Sequence, residues 1–172
     1  MAGALLFVVG YFAGSRHASP PLGDVDAVVV ETAPLLAPAG VDLSGAWHVL
    51  AVGRGGTPAC EQLLTRLVRV HNRLAHRRDL QEKLVFRFLD AGGDRRAGAA
   101  LLSVPNVTPV SPAAARGFGR QLGRSDEAAL DCRGTPLALL DPEARLRALL
   151  PAAGDPAGAA RDLERLLDHM DD

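Results

Sequence analysis

A glycine-rich loop between a strand and a helix is the feature that most constrains this chain. Residues 47–52 are apolar without alternation, which is typical of a strand that is buried on both faces of a sheet. The loop GRGGT follows, and an amphipathic helix is predicted over residues 58–76, with Thr57 as its N-cap and a proline at its first position. Cys60 lies in the first turn of that helix, where the helix N-terminus favours a thiolate.

Composition excludes several classes of function. The chain has 172 residues, of which 48 % are hydrophobic and 4 % aromatic, so it can form one domain with an aliphatic core. Its net charge of −1 does not indicate a nucleic-acid surface. The two cysteines and five histidines match no zinc spacing, so we predict no metal site and no cofactor.

The order of predicted elements indicates the fold class. It runs strand, helix, strand, helical connection, strand, hairpin strand, helix, which resembles a thioredoxin-like α/β fold with a mixed sheet flanked by helices. The predicted strands are 25–31, 47–52, 84–90, 136–140 and 145–150, and the predicted helices are 58–76, 97–102, 112–122 and a last helix from residue 155.

The N-terminal stretch, residues 3–14, is apolar and uncharged. A membrane-spanning helix needs about 20 such residues, so this one is short. Three interpretations stay open: a short membrane anchor, which we favour, the core of a signal peptide, or a buried strand or helix. With an anchor at 1–14, residues 15–23 form a linker and residues 24–172 the domain.

The first candidate site residues are the two cysteines and the pair Thr135–Pro136. Cys60 is either a reactive thiol or a small buried hydrophobe. In thioredoxin-like folds a cis-proline loop lies beside the helix-end cysteine, and the resemblance places it at Thr135–Pro136, which we predict to be cis. If this layout holds, the loop of Cys132 passes near Cys60. A disulfide between the two cysteines is then one alternative, and free thiols are the favoured one.

A narrower resemblance rests on several short segments. They are LSGAW at 43–47, Cys60 ahead of an arginine-rich helix, the strand at 84–90, LLDP at 139–142, and RDLERLL at 161–167 after DPAG. With these segments the chain resembles divergent SCO/SenC-related proteins, which are membrane-anchored and associated with bacterial cytochrome c oxidase.

This resemblance implies a function and a location. It implies an accessory protein of respiratory oxidase assembly, anchored in the cytoplasmic membrane, with a thioredoxin-like domain in the periplasm. Arg16 and His17 follow the apolar segment, and the positive-inside rule would by itself favour a cytoplasmic domain. We follow the resemblance and expect the periplasmic side.

The chain departs from the copper-carrying members of that family. They have two cysteines spaced C-x-x-x-C and a later histidine. Here Gly56 stands at the first cysteine position, and no histidine lies within residues 131–136, where that ligand is expected. Copper(I) prefers soft sulfur ligands, and one cysteine is a poor site. We therefore predict neither copper transfer nor C-x-x-C dithiol activity.

A second resemblance, to peroxiredoxins, gives an alternative function. Thr57 and Cys60 match the Thr-x-x-Cys part of their motif, and Arg133 lies in a segment similar to the one that holds their active-site arginine. The resemblance implies that Cys60 attacks peroxide, Thr57 orients it and Arg133 stabilises the charge. Gly53 stands where the family has a proline. A third hypothesis is a structural or interaction domain without thiol chemistry.

Overall fold

The fold was obtained as a computed structural model, which describes residues 26–92 and 105–170. These residues form a mixed β-sheet with helices on both faces. The strands are β1 (Val28–Val29), β2 (Trp47–Gly53), β3 (Leu84–Asp90), β4 (Asn106–Pro109), β5 (Leu137–Leu140) and β6 (Leu146–Leu150). The helices are α1 (Pro58–Arg73), α2 (Arg78–Lys83), α3 (Pro112–Gln121) and α4 (Pro156–Met170).

The sheet has the strand order β1-β6-β5-β2-β3-β4. Strand β2 is central: it runs parallel to β3, from Trp47 opposite Leu84 to Gly53 opposite Asp90, and antiparallel to β5. Strand β4 continues the parallel half, while β5, β6 and β1 form the antiparallel half. The carboxyl ends of β2 and β3 therefore meet at one edge of the sheet, beside the N-terminus of α1.

Two hydrophobic cores cover the two faces of the sheet. The first holds Val49 and Ala51 of β2 together with Phe88, and it is closed by α1 and α4. The second holds Leu50 and Val52 of β2, which alternate with the first set, and it is closed by α3. This alternation explains why β2 reads as a continuous apolar run, since both of its faces are buried.

The predicted thioredoxin-like α/β class is confirmed, and most element positions agree with the prediction. Helix α1 ends at Arg73 rather than 76, because buried Leu74 adopts φ −85°, ψ 3° and turns the chain. The short helix α2 was not predicted. Arg77, the residue before it, pairs locally with Asp79 and across the fold with Asp168 of α4, and a contact of the second kind leaves no periodic pattern in the sequence.

Several predictions concern residues outside the described ranges. The apolar segment 3–14, the linker 15–23 and the helix predicted at 97–102 all lie there. Within residues 26–92 and 105–170, none of the helices combines the length and apolar character that crossing a bilayer requires. The first predicted strand, 25–31, is reduced to β1, because only Val28 and Val29 pair with β6.

Candidate functional site

Cys60 is fixed by the capping of α1. Thr57 is the N-cap, in the extended conformation, and its hydroxyl accepts a hydrogen bond from the Cys60 N–H at 3.3 Å. The Thr57 carbonyl accepts from the Glu61 N–H at 3.0 Å, so the cap satisfies two of the first amides of the helix. The Cys60 side chain points into the first core and is completely buried.

Cys60 is bonded to Cys132 in a disulfide. Their Cα atoms are 4.9 Å apart, and 72 residues separate them in sequence. The sequence favours free thiols, whereas the structure contains the disulfide. The sequence offers no cysteine near Cys60, and only the fold brings the loop before β5 against the start of α1. In this state neither cysteine carries a free thiol.

Gly53 makes room for the disulfide. A Cβ at this position would overlap the Cys132 Sγ atom and lie 3.0 Å from the Cys60 Sγ atom and 3.3 Å from the Phe88 ring. The bond therefore packs directly on the backbone at the end of β2. In the sequence Gly53 stands out only as a departure from the peroxiredoxin motif, yet a glycine at the end of a buried strand also indicates close approach by another group.

The turn that carries Cys132 leads directly into β5. The Thr135 N–H donates to the Cys132 carbonyl at 3.3 Å, and the Thr135 hydroxyl donates to the Asp131 carbonyl at 3.0 Å. Gly134 sits at φ +64°, a conformation that glycine adopts without strain. Thr135 is buried, and Pro136 precedes the first residue of β5, where the missing N–H is tolerated. The cis geometry of the Thr135–Pro136 bond stays a prediction.

Arg133 lies at the surface. Its side chain is 81 % exposed and forms an ion pair of 3.0 Å with Asp131. The hydrogen bonds from Arg133 hold the pKa of Asp131 below its ordinary value. Cys60 is buried in the disulfide and Thr57 is engaged in capping, so this state contains no peroxidatic thiol. The peroxidase roles of Cys60, Thr57 and Arg133 stay predictions for a reduced protein.

Asp90 holds the glycine loop in place. Its Oδ1 atom accepts from the Gly55 N–H at 2.8 Å and from the Gly92 N–H at 2.7 Å. A Cβ at Gly55 would lie 2.8 Å from this carboxylate, so the loop and the carboxylate fit only without a side chain there. Asp90, at the end of β3, thus fixes the backbone of the loop that leads into α1.

An open cleft of about 610 Å³ lies beside the disulfide. Residues 57–59, which precede Cys60, line one part of it, and Asp131 and Arg133, which flank Cys132, line another. In the described part of the chain, no three His, Cys, Asp or Glu side chains are grouped in a way that could hold a metal ion. The remaining lining residues include charges of both signs, namely Arg54, Arg116, Asp126 and Glu127.

Comparison with known proteins gives structural but not sequence matches. No protein-family model matches the chain, and neither does any curated protein. Copper-bound ScoI from Arabidopsis thaliana is similar at a TM-score of 0.54 and 14 % identity, over 73 % of this chain and 87 % of that one. Copper-bound yeast Sco1 has a TM-score of 0.51 and 18 % identity, over 74 % and 80 %.

A third structure is similar over a longer range. A DsbF homologue from Corynebacterium diphtheriae has a TM-score of 0.50 and 14 % identity, over 90 % of this chain and 99 % of that one. The chain shares the thioredoxin-like fold of these structures. In this fold Gly56, at φ +86°, occupies the first cysteine position implied by the resemblance to SCO/SenC-related proteins. Cys132, bonded to Cys60, lies in the segment where that resemblance implies a histidine.

Proposed function

We propose that this protein is an accessory factor of respiratory oxidase assembly that acts by binding other proteins and not by carrying copper. The observation that carries the proposal is the buried Cys60–Cys132 disulfide on an Sco-related fold. Both sulfurs are bonded to each other, so neither is available as a thiolate ligand, and metal ligation by cysteine requires the thiolate. The oxidised protein keeps the scaffold and lacks the donor set.

The same disulfide supports the proposed location. Disulfides form and persist in oxidising compartments such as the bacterial periplasm, and they are rare in the cytosol. We propose that residues 3–14 tether the protein to the cytoplasmic membrane and that the domain lies on the periplasmic side. A reporter fused after residue 172 and active only in the periplasm tests this arrangement, and activity of a cytoplasmic reporter contradicts it.

The cleft is the surface that we assign to partner binding. Arg54 lines it and is exposed, and its backbone N–H donates to the Leu130 carbonyl at 3.1 Å, which joins the glycine loop to the opposite side of the cleft. A charge reversal of the Arg54 side chain alters the cleft while leaving this backbone contact in place. Arg161, exposed on α4, offers a matched reversal away from the cleft.

The test is complementation of a deletion strain. We expect deletion to lower the amount of spectroscopically assembled oxidase, the natural protein and Arg161→Glu to restore it, and Arg54→Glu to restore it poorly. Immunoblotting checks that both variants accumulate equally. Normal oxidase levels in the deletion strain would contradict the assembly role, and equal rescue by both variants would contradict the assignment of the cleft.

A further inference from the structure

The layer formed by α1 and α4 carries two pairs of exposed arginines. Arg69 and Arg73 lie one turn apart on α1, and Arg161 and Arg165 lie one turn apart on α4. The two helices pack against each other over the first core. We propose that these four arginines, the arginine face, form a docking surface for anionic lipid headgroups. The inference rests on the membrane tether proposed above and adds the surface that the domain turns to the membrane.

The charge of this layer differs from that of the whole chain. Helices α1, α2 and α4 and the turn before α2 contain more Arg and Lys than Asp and Glu, although the chain has a net charge of −1. Three of the carboxylates face other cations: Arg77 binds Asp79 and Asp168 at 2.9 Å, and Glu164 contacts His76 at 3.0 Å. The excess of positive charge therefore lies on the outer arginines.

The arginines of each pair repel one another. Like charges at positions i and i+4 lower the stability of a helix. In the part of the chain that the structure describes, Arg69, Arg73 and Arg161 take part in no ion pair, so no carboxylate offsets this repulsion on α1. An anionic surface would offset it on both helices at once. Two such pairs on adjacent helices favour an extended negative surface over a single carboxylate.

The chain enters the domain beside the arginine face. The Asp26 N–H donates to the Oδ2 atom of buried Asp162 at 3.1 Å. On α4, Asp162 lies between Arg161 and Arg165, so this contact fixes the start of the domain against that helix. Residues 15–25 connect Asp26 to the proposed tether, and a segment of that length extends to at most about 40 Å. The arginine face is therefore held within reach of the membrane surface.

Four arginines suit a reversible contact. Each one strengthens binding to an anionic membrane about fivefold, and the attraction fades beyond about 8 Å at physiological ionic strength. The tether raises the local concentration of the surface, so this weak attraction suffices. Arg69 and Arg73 lie in the second half of α1, whereas the cleft lies at its start, so docking leaves the cleft open. Arg161→Glu retains three arginines and the tether, so it still serves as the control for the cleft.

Arginine footprinting of the full chain tests this proposal. The protein is added to preformed vesicles of phosphatidylcholine, with or without phosphatidylglycerol, and labelled with hydroxyphenylglyoxal before mass spectrometry. We expect labelling of the arginine face to fall at least about fivefold on the vesicles that contain phosphatidylglycerol, and to recover at high salt. Arg133, which is 81 % exposed beside the cleft, should label equally on both kinds of vesicle.

The outcomes separate this inference from the tether. Flotation with neutral vesicles reports the tether, whereas protection that requires phosphatidylglycerol reports the arginine face. A chain that does not float with neutral vesicles is labelled free and with anionic vesicles, and the same comparison applies. Equal labelling of the arginine face with and without phosphatidylglycerol overturns the inference, and so does equal protection of Arg133. Protection by soluble polyglutamate but not by vesicles would overturn it in favour of an acidic protein partner.

A double variant provides the matched second test. Arg69→Gln with Arg73→Gln removes half of the arginine face and keeps good helix formers at exposed positions. We expect the two arginines of α4 to lose most of their protection on anionic vesicles, because both helices dock as one surface. Arg120→Gln with Arg133→Gln removes the same charge from exposed positions outside this face and should leave the protection intact. Equal protection in both double variants would contradict the proposal, and neither assay involves the oxidase.

Discussion

The absence of a side chain at Gly53 leaves the space in which the Cys60–Cys132 disulfide packs. The two sulfurs and the Phe88 ring fill the space that a Cβ would occupy. Protein interiors are packed closely enough that an added methyl group has to displace one of these neighbours. The disulfide would be displaced most, because the Cys132 Sγ atom overlaps the position of the new methyl group.

We therefore expect Gly53→Ala to strain or prevent the Cys60–Cys132 bond: the loss of stability is about 1–3 kcal/mol from overpacking if the bond still forms, and about 4 kcal/mol if it does not. Free-thiol titration under denaturing conditions and urea unfolding measure the two effects. Gly117→Ala in α3 is the matched control, because its Cβ would meet only the end of the Arg120 side chain at 3.8 Å. A fully oxidised Gly53→Ala protein with unchanged stability would contradict this account.

His48 is a buried histidine without a hydrogen-bond partner. It lies on β2 opposite Leu140 and Val85, is 2 % exposed, and neither ring nitrogen has a partner within the described residues. Burial, and after it the positive charge of Arg87, lower its pKa to about 4, against the opposing effect of Asp42. The position of His48 within an apolar strand predicts a packed or edge-exposed side chain rather than a metal ligand, and the structure shows that it is packed.

Because the pKa of His48 is lower in the folded protein than in the unfolded chain, the free energy of unfolding depends on pH. Between pH 6.5 and about 4 the unfolded chain protonates His48 while the folded chain does not. Stability from this group is therefore complete above pH 6.5, falls as the pH drops to about 4, and is constant below. The total change is about 3 kcal/mol, since one pKa unit corresponds to about 1.4 kcal/mol.

His48→Leu tests this prediction. We expect urea unfolding of the variant at pH 7 and pH 4.5 to show a smaller loss of stability than the natural protein shows between the same values. Other titrating groups, such as Asp162, whose burial raises its pKa, act in both proteins and cancel in the difference. Parallel pH profiles would show that His48 does not carry this effect.

At the scale of single elements, α1 depends on its first turn. Thr57→Ala removes the hydroxyl that accepts the Cys60 N–H, and the loss of such an N-cap costs about 1 kcal/mol. Thr57→Ser keeps the acceptor and should retain most of that stability. Urea unfolding of the oxidised proteins measures the difference. Equal stability of the alanine and serine variants would indicate that water replaces the cap at no cost.

The sequence predicts those elements whose signals are local. Apolar runs define β2 and β3, and the pairs Thr57–Pro58 and Asp155–Pro156 mark the starts of α1 and α4. Strand β4 is short and half exposed, so it carries neither an apolar run nor a clean alternation. The sequence therefore places these residues only between two predicted helices, 97–102 and 112–122.

In the candidate site, too, only the features with a local sequence signal could be predicted. The placement of Cys60 in a helix turn follows from local sequence. Its bond to Cys132 depends on a contact across 72 residues, and the fit of Gly53 depends on the position of both sulfurs. The hydrogen bond from the Gly55 N–H to the Asp90 carboxylate requires β3 to lie beside β2 in register. No spacing or periodicity in one chain reports such contacts.

At the scale of the whole molecule, the disulfide closes a large loop. A cross-link over 72 residues removes chain entropy from the unfolded state that corresponds to about 4 kcal/mol at 25 °C. We expect a reducing agent to lower the free energy of unfolding by about that amount. Urea unfolding with and without reductant gives the value, and alkylated protein checks that the bond stays open. A change below about 1 kcal/mol would show that the reduced unfolded chain is already compact.

The closed loop also limits how far the chain can be extended by a pulling force while the disulfide is intact. Tension applied at both ends of the chain would first peel β1, which is held to β6 by two residue pairs. The Cys60–Cys132 bond would then carry the force, so the segment between the two cysteines would not be stretched. Since an extended chain spans about 3.5 Å per residue, the 72-residue separation withholds on the order of 250 Å of length until the bond is reduced.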